Sequence, residues 1–246
     1  MEPKTLYDQY LLTLGNRVLR CGFAFPETAG YFGAWCKKDP DNGDPEAAIS
    51  GWYWQKVIQN IGPKSPYNEY TAFSAAASAA LLASDRFLLH AVAIRRGESA
   101  WLLTGPSGVG KSTLTQELMK QHDNGFTVIC GDRPVLQKNV DGSFFVHPSP
   151  WNGKEGWHGA EGAPLAGIIC LVREDENRIR KLTTRESAPL LFVSIFQTGE
   201  YEADVRKAAE LEEALLRNVP VWQLTADDVP GSAGLLYDTL FTGDND

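Results

Sequence analysis

The chain has 246 residues, of which 43% are hydrophobic and 11% aromatic, enough apolar side chain for the packed core of one large or two small domains. Its net charge of −8 argues against a basic face with nucleic acid as the principal partner. No apolar stretch approaches the roughly 20 residues of a membrane span, and the start lacks a signal peptide's apolar region, so we expect a cytoplasmic protein without a membrane partner.

The first part of the chain predicts a small β-rich region. Alternating apolar and polar positions in residues 5–35 indicate short strands, with Gly15-Asn16 as a hairpin turn. An alanine-rich run then predicts a helix over residues 69–84. We therefore divide the chain into a β-rich N-terminal region, residues 1–68, and a second domain, residues 69–246.

Two apolar runs at the start of the second domain predict a pair of strands. They cover residues 87–94 and 100–104 and are separated by five residues. A parallel crossover needs about a dozen residues, so these strands are expected to pair antiparallel as a hairpin. This arrangement differs from the many P-loop proteins whose motif follows a strand of a parallel sheet.

The second strand of this hairpin leads into the motif Gly105-Pro-Ser-Gly-Val-Gly-Lys-Ser-Thr113, which fits the phosphate-binding P-loop G-x-x-x-x-G-K-[ST]. Backbone N–H groups at such a strand-to-helix turn form an anion nest, Lys111 reaches the terminal phosphates, and Ser112 can hold Mg²⁺. An ordinary glycine-rich turn at a helix start is the alternative. The predicted nucleotide-binding residues are Gly105, Ser107, Gly108, Val109, Gly110, Lys111, Ser112 and Thr113. The expected ligands are Mg²⁺ and a nucleoside triphosphate, with ATP as phosphoryl donor and GTP left open.

A predicted strand over residues 126–130 ends in Gly131-Asp132 soon after the P-loop. Asp132 is the candidate for the acceptor's base, for a magnesium ligand together with Ser112, or for both. An aspartate that caps a turn is the alternative. Arg133 could neutralise phosphate if it faces the site.

His90 is the third candidate catalytic residue, with Asp132 and Lys111. It falls inside the strand predicted over residues 87–94, where alternation places it among apolar side chains. A histidine of the core and a histidine beside the phosphates are both compatible with this position.

The next elements follow in chain order. Asp141-Gly142 between two β-prone runs is typical of a type I′ hairpin. Residues 166–172 predict a central strand with residues 177–182 as its partner, and Thr183-x-x-Glu186 predicts a capping box at a helix start. Residues 203–218 have helical spacing.

The loop over residues 147–157 contains prolines and glycines that suit a clamp over a ligand. Lys154 could contact phosphate or acceptor, or remain solvated. Trp151 and Trp157 could stack on a nucleobase or pack against the sheet. Glu155 is expected at the surface.

Together these features resemble the HPr serine kinase/phosphorylase family and its shorter kinase-like relatives, which share a core with phosphoenolpyruvate carboxykinase. The likeness covers roughly residues 85–240 and rests on His90, the hairpin, the P-loop and the strand ending in Asp132. Three further segments are similar: residues 150–154, 164–173 and 177–182. The resemblance implies an α/β fold with a P-loop-containing mixed sheet fed by an antiparallel hairpin. Residues 1–84 look like the leading region of relatives encoded with peptide-modification systems.

Two departures shape the function that the resemblance implies. The family ends the strand after the P-loop in Asp-Asp, where this chain has Gly131-Asp132, and this chain lacks the Arg-Gly-Leu-Gly-type motif tied to phosphorolysis. We therefore expect a forward kinase that phosphorylates a hydroxyl, a serine of a peptide or protein. A small acceptor such as free serine or a nucleotide is one alternative, and a nucleotide-binding regulatory or assembly protein with weak hydrolysis is another. The related phosphocarrier kinases form oligomers, so the resemblance makes a homo-oligomer one of the assembly states to test for this chain.

Overall fold

The computed structural model describes residues 9–39, 65–122, 125–195 and 202–242. Within these ranges the chain forms a mixed α/β structure with a three-stranded sheet and a larger, mostly antiparallel sheet. The strands are β1 Gln9–Leu14, β2 Arg17–Gly22, β3 Cys36–Lys38, β4 Arg86–Leu88, β5 Ala91–Arg96, β6 Ser99–Thr104, β7 Thr127–Cys130, β8 Val135–Lys138, β9 Phe144–His147, β10 Ala163–Arg173, β11 Arg178–Lys181 and β12 Val221–Ala226. The helices are α1 Thr28–Phe32, α2 Pro66–Leu82, α3 Lys111–Gln121, α4 Thr184–Phe192, α5 Glu202–Asn218 and α6 Val229–Leu240.

The three-stranded sheet has the order β2-β1-β3 and is built on a tight hairpin. Gly15 and Asn16 both have positive φ, 52° and 61°, as a type I′ turn requires, which confirms the predicted turn. The buried side of this sheet packs with Phe32 of α1 and Phe73 of α2. The same apolar cluster reaches the larger sheet and the loop after β9, through Leu88, Val135 and Trp151.

Helix α2 begins three residues earlier than the sequence indicated. The Ser65 side chain caps the helix by accepting from the Asn68 N–H, and Pro66 stands at the first helical position. The proposed boundary at residue 68 therefore falls inside the first turn of α2. The division into residues 1–68 and 69–246 stays a prediction.

A buried carboxylate joins α2 to the segment that follows β2. Glu69 of α2 accepts hydrogen bonds from Ala24 N at 2.6 Å and Phe25 N at 3.0 Å, and a further one from the Thr28 hydroxyl. Burial raises the pKa of Glu69, while these three hydrogen bonds oppose the rise. The carboxylate thus fixes the entry to α1 against α2.

Replacing Glu69 tests how much these hydrogen bonds stabilise the fold. Glu69→Ala leaves buried donors at Ala24, Phe25 and Thr28 without their acceptor, so we expect the free energy of unfolding to fall by about 3 kcal/mol. Urea unfolding measures the change. Glu98→Ala is the control, because Glu98 is exposed in the β5–β6 turn and should alter stability by less than about 0.5 kcal/mol. Equal losses in the two variants would contradict the prediction.

The main run of the larger sheet has the order β7-β5-β6-β10-β12-β11. Strands β4, β8 and β9 extend it as an antiparallel meander that joins the beginning of β10. Strands β5 and β6 pair antiparallel from Ala91 opposite Thr104 to Arg96 opposite Ser99, which confirms the predicted hairpin. Strands β6, β10 and β12 run parallel to one another.

Within residues 5–35, where short strands were expected, Thr28–Phe32 forms helix α1. Three local predictions for the larger sheet also differ from the structure. The strand predicted over residues 87–94 is broken at Leu89 and His90 into β4 and β5, because β4 pairs with β8 while β5 pairs with β6 and β7. Strand β11 pairs with β12 rather than with β10. The β8–β9 turn has positive φ at Gly142 but not at Asp141, so it is no type I′ turn. It instead closes with a Gly142 N–H to Asn139 carbonyl bond.

Helices cover both faces of the larger sheet, with α4 and α5 in the apolar cluster of one face and α3 and α6 in that of the other. Helix α4 begins with the predicted capping box, in which Thr183 and Glu186 exchange side-chain and backbone hydrogen bonds. Helix α5 confirms the helical spacing seen near residues 203–218. In the part of the chain that the structure describes, no helix combines the length and apolar character needed to cross a membrane.

Candidate active site

Strand order brings the candidate residues to one edge of the sheet. Strand β5 lies between β6 and β7 and is antiparallel to both. Its first residue therefore lies beside the last residues of its two neighbours. His90 precedes β5, the loop that begins at Gly105 follows β6, and Asp132 follows β7. Segments far apart in sequence thus converge without any long connection.

The loop over residues 105–110, here called the glycine-rich loop, uses its glycines for definite geometric reasons. Gly105 has φ 144°, and a Cβ there would lie 2.6 Å from the Leu171 carbonyl oxygen. Gly108 and Gly110 have φ values of 80° and 110°, which side chains rarely adopt. Gly110 is the N-cap of α3, so the positive end of that helix faces the loop.

Lys111 is the first residue of α3 and is buried. Its Nζ donates to the carbonyl oxygens of Gly105 at 2.9 Å and Pro106 at 3.2 Å. Burial lowers the pKa of Lys111, and the nearby Asp132 opposes this effect. The ammonium group therefore lies over the glycine-rich loop, where phosphate oxygens could take the place of the two carbonyls.

Asp132 lies between two nitrogen groups. Its Oδ1 is 3.4 Å from His90 Nε2, and its Oδ2 is 3.1 Å from Arg133 Nε. Burial lowers the pKa of His90, Lys111 and Arg133 lower it further, and Asp132 opposes them. The imidazole is thereby favoured in its neutral form near pH 7, beside a carboxylate of fixed orientation.

His90 is held by its backbone at the break between β4 and β5. Its N–H donates to the Ser194 carbonyl at 2.8 Å, and its carbonyl accepts from the Thr104 hydroxyl at 2.9 Å. The prediction that His90 lies inside a strand is wrong for this reason. Of the two positions left open by the sequence, the structure places the half-buried side chain at the cleft.

The loop over residues 150–157, here called the clamp loop, is fastened across the end of β7. The Gly131 N–H donates to the Trp157 carbonyl at 2.9 Å, and the Arg133 N–H donates to the Trp151 carbonyl at 3.1 Å. A Cβ on residue 131 would lie 2.2 Å from the Asn152 carbonyl oxygen. The clamp loop therefore occupies the space that an aspartate at position 131 would need.

A side chain at position 131 is expected to displace the clamp loop. Gly131→Ala should lower the free energy of unfolding by about 2 kcal/mol, the scale of overpacking a tight contact. The matched control is Gly30→Ala, where a Cβ meets no atom within 4 Å and the substitution should be neutral or slightly stabilising. Urea unfolding compares the two variants, and equal stability of Gly131→Ala and wild type would refute the steric account.

These elements enclose a cleft of about 870 Å³. Ten of the predicted catalytic, nucleotide-binding and ligand-loop residues line it: His90, Ser107, Gly108, Gly110, Lys111, Ser112, Thr113, Asp132, Trp151 and Lys154. Gly105 and Val109 do not line the cleft. Gly105 lies against Leu171, and Val109 packs against an apolar cluster behind the loop.

The remaining sequence candidates take different positions. Trp151 is buried, and its Nε1 donates to the Tyr70 carbonyl at 2.9 Å, so it packs within the protein and shows only part of its surface to the cleft. Trp157 is not among the lining residues. Lys154 and Glu155 are exposed at the rim. Arg133 lines the cleft, which is the condition under which the sequence analysis gave it a role in neutralising phosphate.

The lining residues that were not identified from the sequence include Tyr31, Tyr67, Tyr70 and Thr71. Tyr67, Tyr70 and Thr71 have the i, i+3, i+4 spacing of one helix face, which is the signal that could have grouped them. Tyr31 belongs to α1 and has no such signal. Its place beside the other tyrosines follows from tertiary packing.

The oxygen donors of the cleft fit a magnesium ion bound with phosphates. The Ser112 hydroxyl and the Asp132 carboxylate both face it. Among the described residues, no group of three or more His, Cys, Asp or Glu side chains is arranged to hold a metal by itself. Magnesium typically takes few protein ligands and shares the rest with substrate phosphates and water, which suits this donor set.

Comparison with known proteins adds a distant likeness in structure. The chain is similar to the solved structure of the Hpr(Ser) kinase/phosphatase from Coxiella burnetii, with 15% sequence identity and a TM-score of 0.36, over 62% of this chain and 92% of that one. No protein-family model and no curated protein sequence matches the chain. A likeness this distant carries no argument about chemistry, so the site is interpreted from its own geometry.

Proposed function

We propose that this chain is a magnesium-dependent kinase that transfers the terminal phosphoryl group of a nucleoside triphosphate to a serine hydroxyl of a peptide or protein. The observation that carries the proposal is the position of Asp132, in one cleft with Lys111 and the glycine-rich loop. We also propose that the larger sheet is of the type found in HPr kinase and phosphoenolpyruvate carboxykinase.

The glycine-rich loop and the start of α3 form the nucleotide side of the site. Backbone N–H groups and the positive end of α3 attract the phosphates, and Lys111 neutralises charge on the terminal ones. Ser112 supplies an oxygen ligand for magnesium, and the ion when bound adds positive charge next to the transferred group. ATP is the proposed donor, with GTP as the nucleotide to compare in the same assays.

Asp132 serves the acceptor side by taking the proton of the attacking hydroxyl. Direct coordination of magnesium by Asp132 would place a divalent cation next to the Arg133 guanidinium, which like-charge repulsion disfavours. We therefore give Ser112 the direct metal contact, while Asp132 acts through water at most. His90 and Arg133 hold the two carboxylate oxygens and so orient the base.

Lys111→Ala should lose most of the affinity for the triphosphate and all measurable transfer, because it removes the cation over the glycine-rich loop. Isothermal titration with ATP and Mg²⁺ measures the affinity. Lys120→Ala in the same helix is the matched control, since Lys120 is exposed at the far end of α3. Undiminished ATP binding by Lys111→Ala would rule out the phosphate site.

Asp132→Asn should keep nucleotide binding and lower phosphoryl transfer by a factor on the order of a hundred or more, the usual scale for loss of a general base. Transfer from labelled ATP to serine peptides and to free serine measures this. Asp141→Asn, in the exposed β8–β9 turn, is the matched control. Unchanged transfer would assign the base to another group, with Glu155 at the rim the next carboxylate to replace. Nucleotide binding without transfer to any acceptor in wild type would instead favour the regulatory alternative.

A further inference from the structure

The cleft continues beyond Asp132 onto an aromatic surface. Tyr31 of α1 and Tyr67 and Tyr70 of α2, here called the tyrosine surface, all line it. Their ring centroids lie 5.5 Å apart for Tyr31 and Tyr70, 5.7 Å for Tyr31 and Tyr67, and 6.1 Å for Tyr67 and Tyr70. Tyr31 is 49% exposed and Tyr67 is 57% exposed. Three rings in mutual contact thus form one continuous surface that is open to a ligand.

Arg133 connects this surface to the candidate base. Its Nε lies 3.1 Å from Asp132, and its Nη1 donates to the Thr71 carbonyl at 2.9 Å. Thr71 directly follows Tyr70 in α2, so one guanidinium group spans from the carboxylate to the helix that carries two of the tyrosines. The tyrosine surface therefore begins where the proposed reaction centre ends.

Tyr70 forms the fixed inner part of the surface. Its hydroxyl donates to the Pro150 carbonyl at 2.8 Å, and its ring stacks on Trp151 at 6.1 Å. Burial raises the pKa of Tyr70 to about 12, against the opposing effect of Arg133, so the phenol stays a neutral donor. The rings of Tyr31 and Tyr67 pack against the ring of Tyr70 and present their exposed area to the cleft.

The direction of the bound nucleotide decides which ligand meets these rings. The lysine of such a loop marks the terminal phosphates, and Lys111 and Asp132 line the same cleft. The terminal phosphoryl group therefore points toward Asp132, and the nucleobase lies at the other end of the phosphate chain. A surface beyond Asp132 consequently belongs to the acceptor.

We propose that the tyrosine surface binds the peptide segment next to the acceptor serine, through an apolar side chain of that segment packed on the rings of Tyr31 and Tyr67. This inference rests on the kinase function proposed above. Tyrosine suits the role because its rigid ring offers a large amphipathic contact area at little entropic cost. An extended peptide advances about 3.3 Å per residue, and Tyr67 is one helical turn, about 6 Å, from Thr71. The Arg133 guanidinium, with its contacts of 3.1 Å to Asp132 and 2.9 Å to Thr71, adds at least the same length, so the apolar residue lies within about four positions of the serine.

The test compares peptide and nucleotide kinetics in full-length protein. The probes are ten-residue alanine–glycine peptides with one serine, with or without a phenylalanine within four positions of it, and free serine as a small acceptor. In wild type the phenylalanine peptides should have a KM about tenfold lower than the plain peptide. Tyr31→Ala and Tyr67→Ala should each abolish most of that advantage, while the KM for ATP and transfer to free serine stay within about twofold of wild type.

Two variants serve as references. Tyr67→Phe keeps the ring and should recover most of the advantage lost in Tyr67→Ala. Val140→Ala removes an exposed apolar side chain outside the cleft and should not alter any KM. Unfolding midpoints of the alanine variants should match wild type, because Tyr31 and Tyr67 are about half exposed.

The outcomes separate this inference from the function on which it rests. Transfer to peptides with the same phenylalanine advantage in the alanine variants overturns the acceptor surface and leaves the kinase intact. A raised KM for ATP in those variants with unchanged peptide KM overturns it as well, and assigns the rings to the nucleobase. Wild type that transfers phosphate to neither peptides nor free serine refutes the kinase function itself, and the inference with it.

Discussion

The candidate site depends first on the antiparallel pairing of one short strand, β5, with two neighbours. Ala91 lies opposite Thr104 at the end of β6, and Ala93 lies opposite Cys130 at the end of β7. Because β5 runs against both strands, its beginning shares an edge with their ends. Had β5 run parallel to β6, His90 would lie at the opposite edge of the sheet, away from the glycine-rich loop. Backbone hydrogen bonds thus set the distances on which the proposed chemistry relies.

A second set of contacts makes the N-terminal part of the chain a support of the site. Ser149 Oγ donates to the Arg133 carbonyl and accepts from the Trp151 N–H, which fixes the clamp loop to the segment after β7. The side chain of Arg133 donates to Ser74 of α2, and Trp151 is buried in the cluster that also contains Phe32. The small sheet and α2 therefore influence the orientation of Asp132, because they hold Arg133, which pairs with it. None of their residues belongs to the glycine-rich loop.

Local signals predicted the parts of this structure that local sequence determines. The glycine-rich loop, the β5–β6 hairpin and the capping box at Thr183 each depend on a few neighbouring residues, and each could be identified from the sequence. The break before β5 could not, since residues 87–94 are apolar apart from His90 and only the separate partners β8 and β6 divide them. Tyr31 was missed for the same reason, because its neighbours in the cleft come from α2 and no spacing in the sequence relates them.

Gly131 shows how packing and chemistry constrain each other at this edge. The Asn152 carbonyl oxygen takes the space of any side chain at position 131, so the clamp loop can lie across β7 only if that residue is glycine. The site is then left with Asp132 as the carboxylate that ends β7, and one carboxylate serves poorly as both an inner-sphere metal ligand and a base, because the metal lowers its basicity. Like-charge repulsion from the guanidinium of Arg133 beside Asp132 disfavours the first role. A close backbone contact thereby limits which catalytic arrangement this edge can hold.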